Sequence, residues 1–174
     1  MKSIMNLILI VILAISCSSL VVRRHKLDLN SLRSAELNRH NYYRTRHHAG
    51  PLKLSYSLNN QAQQHAEAMK NQGKIFHASN QYGQNVFYTT VSNIQGGEAT
   101  DAWYDEVRDY NFNNPGYSSR TSHFTQVVWK SSREIGFGFT SDGSKTYVAA
   151  FYAPAGNMMG EFDRNVLAKW WPLN

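Results

Sequence analysis

At 174 residues, 42% hydrophobic and 13% aromatic, the chain is long enough for one domain with a full core and too apolar for low-complexity disorder. Its 18 Lys and Arg against 12 Asp and Glu give a formal charge of +6, yet outside residues 23–26 the cations are scattered. No basic stripe interleaved with aromatics, of the kind that grips nucleic acid, is present, so the charge points to attraction by anionic membrane or cell-surface polymers, or to solubility alone.

Residues 1–19 read as a secretory signal. Lys2 supplies the charged end, residues 7–15 (LILIVILAI) are unbroken apolar, and Ser16, Cys17, Ser18 and Ser19 are small residues suited to a signal peptidase. The apolar run falls short of the roughly 20 residues a spanning helix needs, which ranks an uncleaved anchor below a cleaved leader. A lipoprotein site at Cys17 is a third reading, with Ala14-Ile15-Ser16 a poor lead-in. Residues 20–30 form an N-terminal segment and residues 31–174 the domain. Cys17 is the one cysteine, so cleavage leaves a domain held by its core without disulfides.

Residues 28–48 read as a helix, with Ser31 a candidate N-cap and Gly50-Pro51 a stop. Residues 57–72 read as a second: Ser57 can cap it, Leu58, Ala62, Ala66 and Met69 recur at helical spacing, and Gly73 can close it. Residues 85–91 (NVFYTTV) suit a strand, 98–110 a third helix, 111–121 a loop turned by Asn114-Pro115-Gly116, and 122–130 a short helix. Residues 135–140 alternate apolar residues with glycine as a strand, 141–144 turn, and 145–153 return. This order predicts an α+β domain with an antiparallel sheet and segregated helices. The strand–GxGxxG–helix signature of dinucleotide folds is missing.

Four segments can carry chemistry. Ala102 and Trp103, four and three residues before Glu106, place its carboxylate on the apolar face of its helix, where it finds a partner or reaches water at the edge. His123 opens a helix behind the capping types Thr121 and Ser122, as a ligand or as an ordinary first-turn residue. His77 lies in a loop, and Gly83-Gln84-Asn85-Val86 sends a polar pair into a strand. Phe112 and Tyr117 sit on the turn-rich loop before His123, placed either to cover a hydrophobic ligand or to anchor the loop. HExxH, CxxC and P-loop patterns are missing. Gly116-Tyr117-Ser118-Ser119-Arg120 is not a nucleophile elbow, and Glu106 lacks the acidic partner a glycosidase needs.

Together these segments resemble the CAP superfamily of cysteine-rich secretory, antigen 5 and pathogenesis-related proteins. His40-Asn41-Tyr42-Tyr43-Arg44 matches its HNxxR element, Gly83-Gln84-Asn85-Val86 its G[EQ]N[ILV] element and His123-Phe124-Thr125-Gln126-Val127-Val128-Trp129 its HFTQ signature. Tyr152-Ala153-Pro154-Ala155-Gly156-Asn157-Met158 is similar to YxPxGN. The resemblance covers roughly residues 31–167. Within the superfamily it runs to the Golgi-associated pathogenesis-related subgroup through residues 103–130 and Asn165-Val166-Leu167. That subgroup's myristoylation needs glycine after the initiator, where this chain has Lys2, so its location is not carried over.

The resemblance implies a single-domain, three-layer α/β/α sandwich around a central antiparallel sheet. It also implies a cleft of two histidines and two acidic residues, matched here by His77, Gln84, Glu106 and His123. Gln84 brings no charge where glutamate is common. The imidazoles of His77 and His123 would hold Zn²⁺ weakly, with Glu106 orienting one ring. The implied function is a secreted module binding sterol or other lipid, with Phe112 and Tyr117 as ligand contacts, or docking to a membrane surface or a protein partner; nucleic acid is not implied. The alternative is a metal-assisted hydrolase, protease- or esterase-like, using the His/Glu cleft. No nucleophile is identifiable, which favours binding over catalysis.

The leader makes a direct prediction: protein recovered from culture medium begins near residue 20 and carries no titratable thiol. N-terminal sequencing checks it, and a secreted chain that still starts at Met1 overturns it.

Overall fold

In the computed structural model, which describes residues 28–91 and 94–170, the chain starts with α1 (Leu29–Arg46), β1 (Lys53–Leu54), α2 (Tyr56–Gln72) and β2 (Gly83–Thr89). It continues with α3 (Glu98–Asp105), a 3-10 turn (Glu106–Asp109), α4 (Ser122–Val128), β3 (Glu134–Ser141), β4 (Thr146–Ala153) and α5 (Phe162–Asn165). The leader at 1–19 and its cleavage point near Ser19 lie outside the described residues. The sheet order is β1-β3-β4-β2. The three long strands are antiparallel, as expected, with Phe137 opposite Ala150 and Val86 opposite Ala149. At the edge, β1 adds two residues parallel to β3, too short a piece to leave a period in the sequence.

Side-chain alternation makes the layers. Along β4, Val148, Ala150 and Tyr152 enter one core, and Tyr147, Ala149 and Phe151 the other. Along β3, Ile135, Phe137 and Phe139 join the first core, under α1, α3 and α4, while Gly136 and Gly138 face α2. A Cβ on Gly138 would lie 2.2 Å from the Ala62 carbonyl oxygen, and one on Gly136 2.2 Å from the Asn59 nitrogen, so the helix rests on the strand backbone itself. The α2 stripe Leu58, Ala62, Ala66 and Met69 fills the second core. Amides of α2 complete the contact. Asn59 Oδ1 accepts from Phe137 N (2.8 Å), Gln63 Oε1 accepts from Phe139 N (3.1 Å), and Gln63 Nε2 donates to Phe139 O (2.8 Å). Arg33 Nε donates to Phe137 O (2.9 Å).

Helix ends differ from the sequence reading in instructive ways. Asp28, not Ser31, caps α1: its Oδ1 accepts from Asn30 N and Ser31 N, and Ser31 Oγ donates to its Oδ2. The cap of α2 is Ser55, two residues before Ser57, while Gly73 closes that helix in the left-handed region (φ 67°), as expected. Strand β2 starts at Gly83, because Gly83 and Gln84 already pair with Tyr152 and Phe151. The third helix tightens to 3-10 at Glu106.

Three buried polar groups of α1 tie the layers. Arg44 Nε donates to Gly50 O (2.8 Å), Nη1 to Val127 O (3.1 Å) and Trp129 O (2.8 Å), and Nη2 to Ser132 O (3.0 Å). All four acceptors are carbonyls, and burial lowers the guanidinium pKa to about 10, which leaves it charged at neutral pH. His40 is fully buried, with Nδ1 on Glu36 O (3.0 Å) and Thr100 Oγ1 (2.7 Å), and Nε2 on Tyr152 Oη (2.8 Å). Thr100 also bonds the buried Glu36 carboxylate through its N–H and its hydroxyl. His47 sits between Leu167 O (2.6 Å) and Tyr104 Oη (2.9 Å).

These imidazoles set an acid response. Burial holds His40 down to about 3 and His47 to about 4, whereas both take up protons near 6.5 once unfolded. Stability from these groups is therefore full above pH 6.5 and drains as pH falls toward the folded values, with a slope approaching two protons. Glu36, pushed up by burial, acts in the opposite sense: the fold gains a proton there before the unfolded chain does, returning part of the loss in mildly acidic solution. Urea unfolding is expected to show stability dropping from pH 6.5 to 5, with a shallower slope in His47→Gln. A flat profile would mean that these rings protonate in the native state as freely as in water.

Candidate functional site

The site is built around the start of α4. Glu106, presented by the 3-10 turn, uses both oxygens: Oε1 lies 2.6 Å from His123 Nδ1, and Oε2 accepts from His123 N (2.9 Å) and Phe124 N (3.0 Å). The carboxylate is thus the N-terminal anchor of the helix and the orienter of its first imidazole. An ionised carboxylate can only accept, which places the His123 proton on Nδ1 and leaves Nε2 available. Of the two sequence readings for Glu106, the partnered one holds: its side chain is 22% exposed and that of His123 27%.

The His123 ring lies near-parallel to Trp103 (centroids 6.5 Å, 24°) and to His77 (6.5 Å, 21°). His77 is exposed, and partial burial together with the neighbouring His123 holds its pKa below the usual value. Two imidazoles on one tetrahedral Zn²⁺, with Zn–N about 2.0–2.1 Å, bring their ring centroids to about 5 Å. The pair fits a shared metal once the exposed His77 ring swings inward. Among the described residues no group of three or more His, Cys, Asp or Glu is disposed to hold a metal. Any metal held here would have only these two rings as donors, with Glu106 behind one of them.

Gln84 occupies a different role from a cleft acid. Its Oε1 accepts from Ala78 N (2.8 Å), and its Nε2 donates to Ala78 O (2.8 Å) and Asn80 Oδ1 (2.9 Å). It clasps the loop that carries His77. A carboxylate there would lose the two N–H donors and face two oxygens, so the amide suits this loop better.

Residues that sequence reasoning left out of the site hold α4 from the other sides. Asn85 Nδ2 donates to His123 O (3.0 Å) and to Tyr152 Oη (3.2 Å), which links the site to buried His40. Asn157, at φ 60°, donates from Nδ2 to Ser122 O (2.9 Å) and accepts from Thr125 Oγ1 (2.6 Å). Gln126 Oε1 accepts from Gly156 N (2.9 Å), and a Cβ on Gly83 would lie 2.1 Å from that same oxygen. Each of these residues stands in one of the four motif segments, and that was the signal available for them.

Phe112 and Tyr117 separate. Phe112 stacks on His47 (6.0 Å, 16°) and meets Tyr110 and Phe124 edge-on, so it anchors the loop. Tyr117 is 55% exposed. On the Tyr117 side the loop forms a half-open, mostly polar concavity of about 230 Å³, lined by Asp109, Tyr110, Asn111, Asn114, Pro115 and Tyr117 among others. The Tyr110 hydroxyl is buried in this wall without a hydrogen-bond partner; the Gly116 N–H lies near it without completing a bond.

Residues 37–153 match the model of the family described as the cysteine-rich secretory protein family, CAP. Golgi-associated plant pathogenesis-related protein 1 of Homo sapiens is 42% identical over 139 residues, covering 75% of this chain and 89% of that protein. Protein PRY2 of Saccharomyces cerevisiae is 38% identical over 136 residues, which is 75% of this chain and 40% of the yeast protein. Among solved structures, NaASP2 with Zn²⁺ superposes with a TM-score of 0.64 at 21% identity, over 82% of this chain and 87% of that one, and so shares the fold.

Proposed function

The chain belongs to the cysteine-rich secretory protein family, and from that premise we propose that it is a secreted module that binds a sterol or another lipid at the loop 111–121, and not an enzyme. The observation that carries this reading is the exposed Tyr117 ring, which with Pro115 walls a concavity on that loop. A ligand's apolar body laid across Tyr117 would bury that ring, and Asn111, Asn114 and Ser118 in the same lining offer polar groups to its polar end. Phe112 serves the site indirectly, by pinning the loop against His47. Secretion rests on the leader in the sequence; no helix among the described residues is long and apolar enough to cross a membrane. The Glu106 contact to His123 Nδ1 would serve a general base equally well, and the preference for binding rests on the lack of any serine, threonine or cysteine nucleophile bonded to that ring among the described residues.

With a fluorescent sterol as probe, Tyr117→Ser is expected to weaken binding roughly tenfold or more, the loss of one ring's burial, at unchanged melting temperature. Phe112→Ala instead lowers stability, and its binding loss follows unfolding. Sterol binding that is undetectable in the wild type, or equal in wild type and Tyr117→Ser, overturns the reading.

The same family membership motivates a second proposal, weak Zn²⁺ binding by His77 and His123. Calorimetric titration is expected to show binding lost in His123→Ala and weakened about tenfold or more in Glu106→Gln, which no longer charges the contact to Nδ1. Binding fades on acidification, because only a neutral imidazole ligates. Unaltered zinc affinity in His123→Ala removes that residue from the metal site.

A further inference from the structure

We propose a second ligand site, on the α2 face at the far end of the sheet, that takes a small organic anion with a flat apolar body: an aryl sulfonate or aryl carboxylate. A concavity of about 250 Å³ lies there, lined by Gly73, Lys74, Ile75, Tyr88, Lys145 and Tyr147. Its size suits a compact ligand, since drug-sized pockets start at about 300 Å³. The loop site lies elsewhere. Strand β2 leaves Gln84, beside the His77 loop, and reaches Tyr88 four residues later, roughly 13 Å along the strand.

Both cations come from braced backbone. Helix α2 ends at Gly73, whose left-handed conformation lets Lys74 N donate to Met69 O (3.2 Å) and brings Lys74 and Ile75 to the rim. On the other side, the β3–β4 hairpin is locked by Asp142. Its Oδ1 accepts from Ser144 N (2.8 Å), Ser144 Oγ (2.9 Å) and Lys145 N (2.7 Å). Lys145 Nζ then stands 5.5 Å from the centroid of the Tyr88 ring. Tyr88 and Tyr147 are paired across β2 and β4 and so share a face: Tyr147 is buried as the floor, while Tyr88 (48% exposed) and Ile75 (40% exposed) form open walls.

Charge decides the ligand class. Neither Lys74 nor Lys145 has an ion-pair partner among the described residues. The acid facing this region is Asp142, and its oxygens are occupied by the hairpin donors and by the Tyr147 hydroxyl (3.4 Å). Two ammonium groups without ion-pair partners, one of them over the Tyr88 ring, outnumber the single Asp142 carboxylate and match an anionic head joined to a planar apolar body. The head pairs with the lysines, and the body lies against Tyr88 and Ile75.

The test uses 2-naphthalenesulfonate added to the isotope-labelled full domain, followed by amide chemical shifts. Saturable shifts centred on residues 73–75, 88 and 145 are expected. The double variant Lys74→Gln/Lys145→Gln weakens binding about tenfold, as does replacing the probe by neutral 2-naphthalenemethanol. Both lysines lie at the surface rim, so the variant folds, which its unchanged melting temperature verifies. Tyr117→Ser leaves this affinity as it was, which keeps the outcome separate from that of the lipid reading. Shifts centred on the loop 111–121, affinity unchanged in the double lysine variant, or no saturable binding would each overturn the proposal.

Discussion

A seven-residue helix held at both ends by charge is the constraint on which the remainder of this structure depends. Alone, α4 is too short to persist in water, since helices under about a dozen residues are marginal even with favourable sequences. Here the Glu106 carboxylate receives the N–H groups of its first turn, and the Arg44 guanidinium gives to the carbonyls of Val127 and Trp129 at its end. Each charge stands at the pole of the helix dipole that attracts it. Arg44 has carbonyls rather than a carboxylate for partners, and removing it would strand the Val127 carbonyl, whereas those of Trp129 and Ser132 keep donors in Ser132 N and Arg133 Nη1. The other motif segments then attach to a fixed object: Asn85 to the His123 carbonyl, Asn157 to the first turn, and Gly156 to Gln126.

This arrangement explains which parts could be read from the chain beforehand. The Gly–Phe alternation of residues 135–140 and the four-residue stripe of α2 are strong periodic signals that give a strand and a helix, while the three-layer arrangement came from the family resemblance. Local chemistry was harder. Asp28 and Ser31 are both good capping types, and only the geometry selects the aspartate, whose two oxygens take the Asn30 and Ser31 donors. The break from α to 3-10 at Glu106 has no signature in propensity; tertiary contacts of its side chain with α4 accompany it. β1 is two residues long and reflects where the chain passes β3 more than any preference of Lys53 or Leu54.

For the candidate site, the matched motifs named residues that the fold brings close together, His77, Glu106 and His123, and spacing alone did not. Spacing left Glu106 between a buried partner and open water, and the structure supplies the partner in His123. The resemblance placed Gln84 in the cleft, and its amide stands beside His77 and makes three contacts to the loop that carries it. Phe112 and Tyr117, five residues apart on one turn-rich segment, look alike in sequence. Their difference arises from the buried His47 ring, which gives Phe112 a surface to stack on and leaves Tyr117 outside.

The contact between α2 and β3 has one more effect. At Phe137 and Phe139 the outward backbone groups of β3 are already taken, the N–H groups by Asn59 and Gln63 and the C=O groups by Arg33 and Gln63. Gln63 makes the same pair of bonds that a residue of a neighbouring strand would make. Beyond the short β1 the sheet is therefore closed by amide side chains in place of another strand, and an incoming chain finds nothing there to zip onto. Protection against edge-to-edge aggregation on this side is built into three polar residues of two helices, Arg33, Asn59 and Gln63, where a mutational scan that looked only at strands would not search for it.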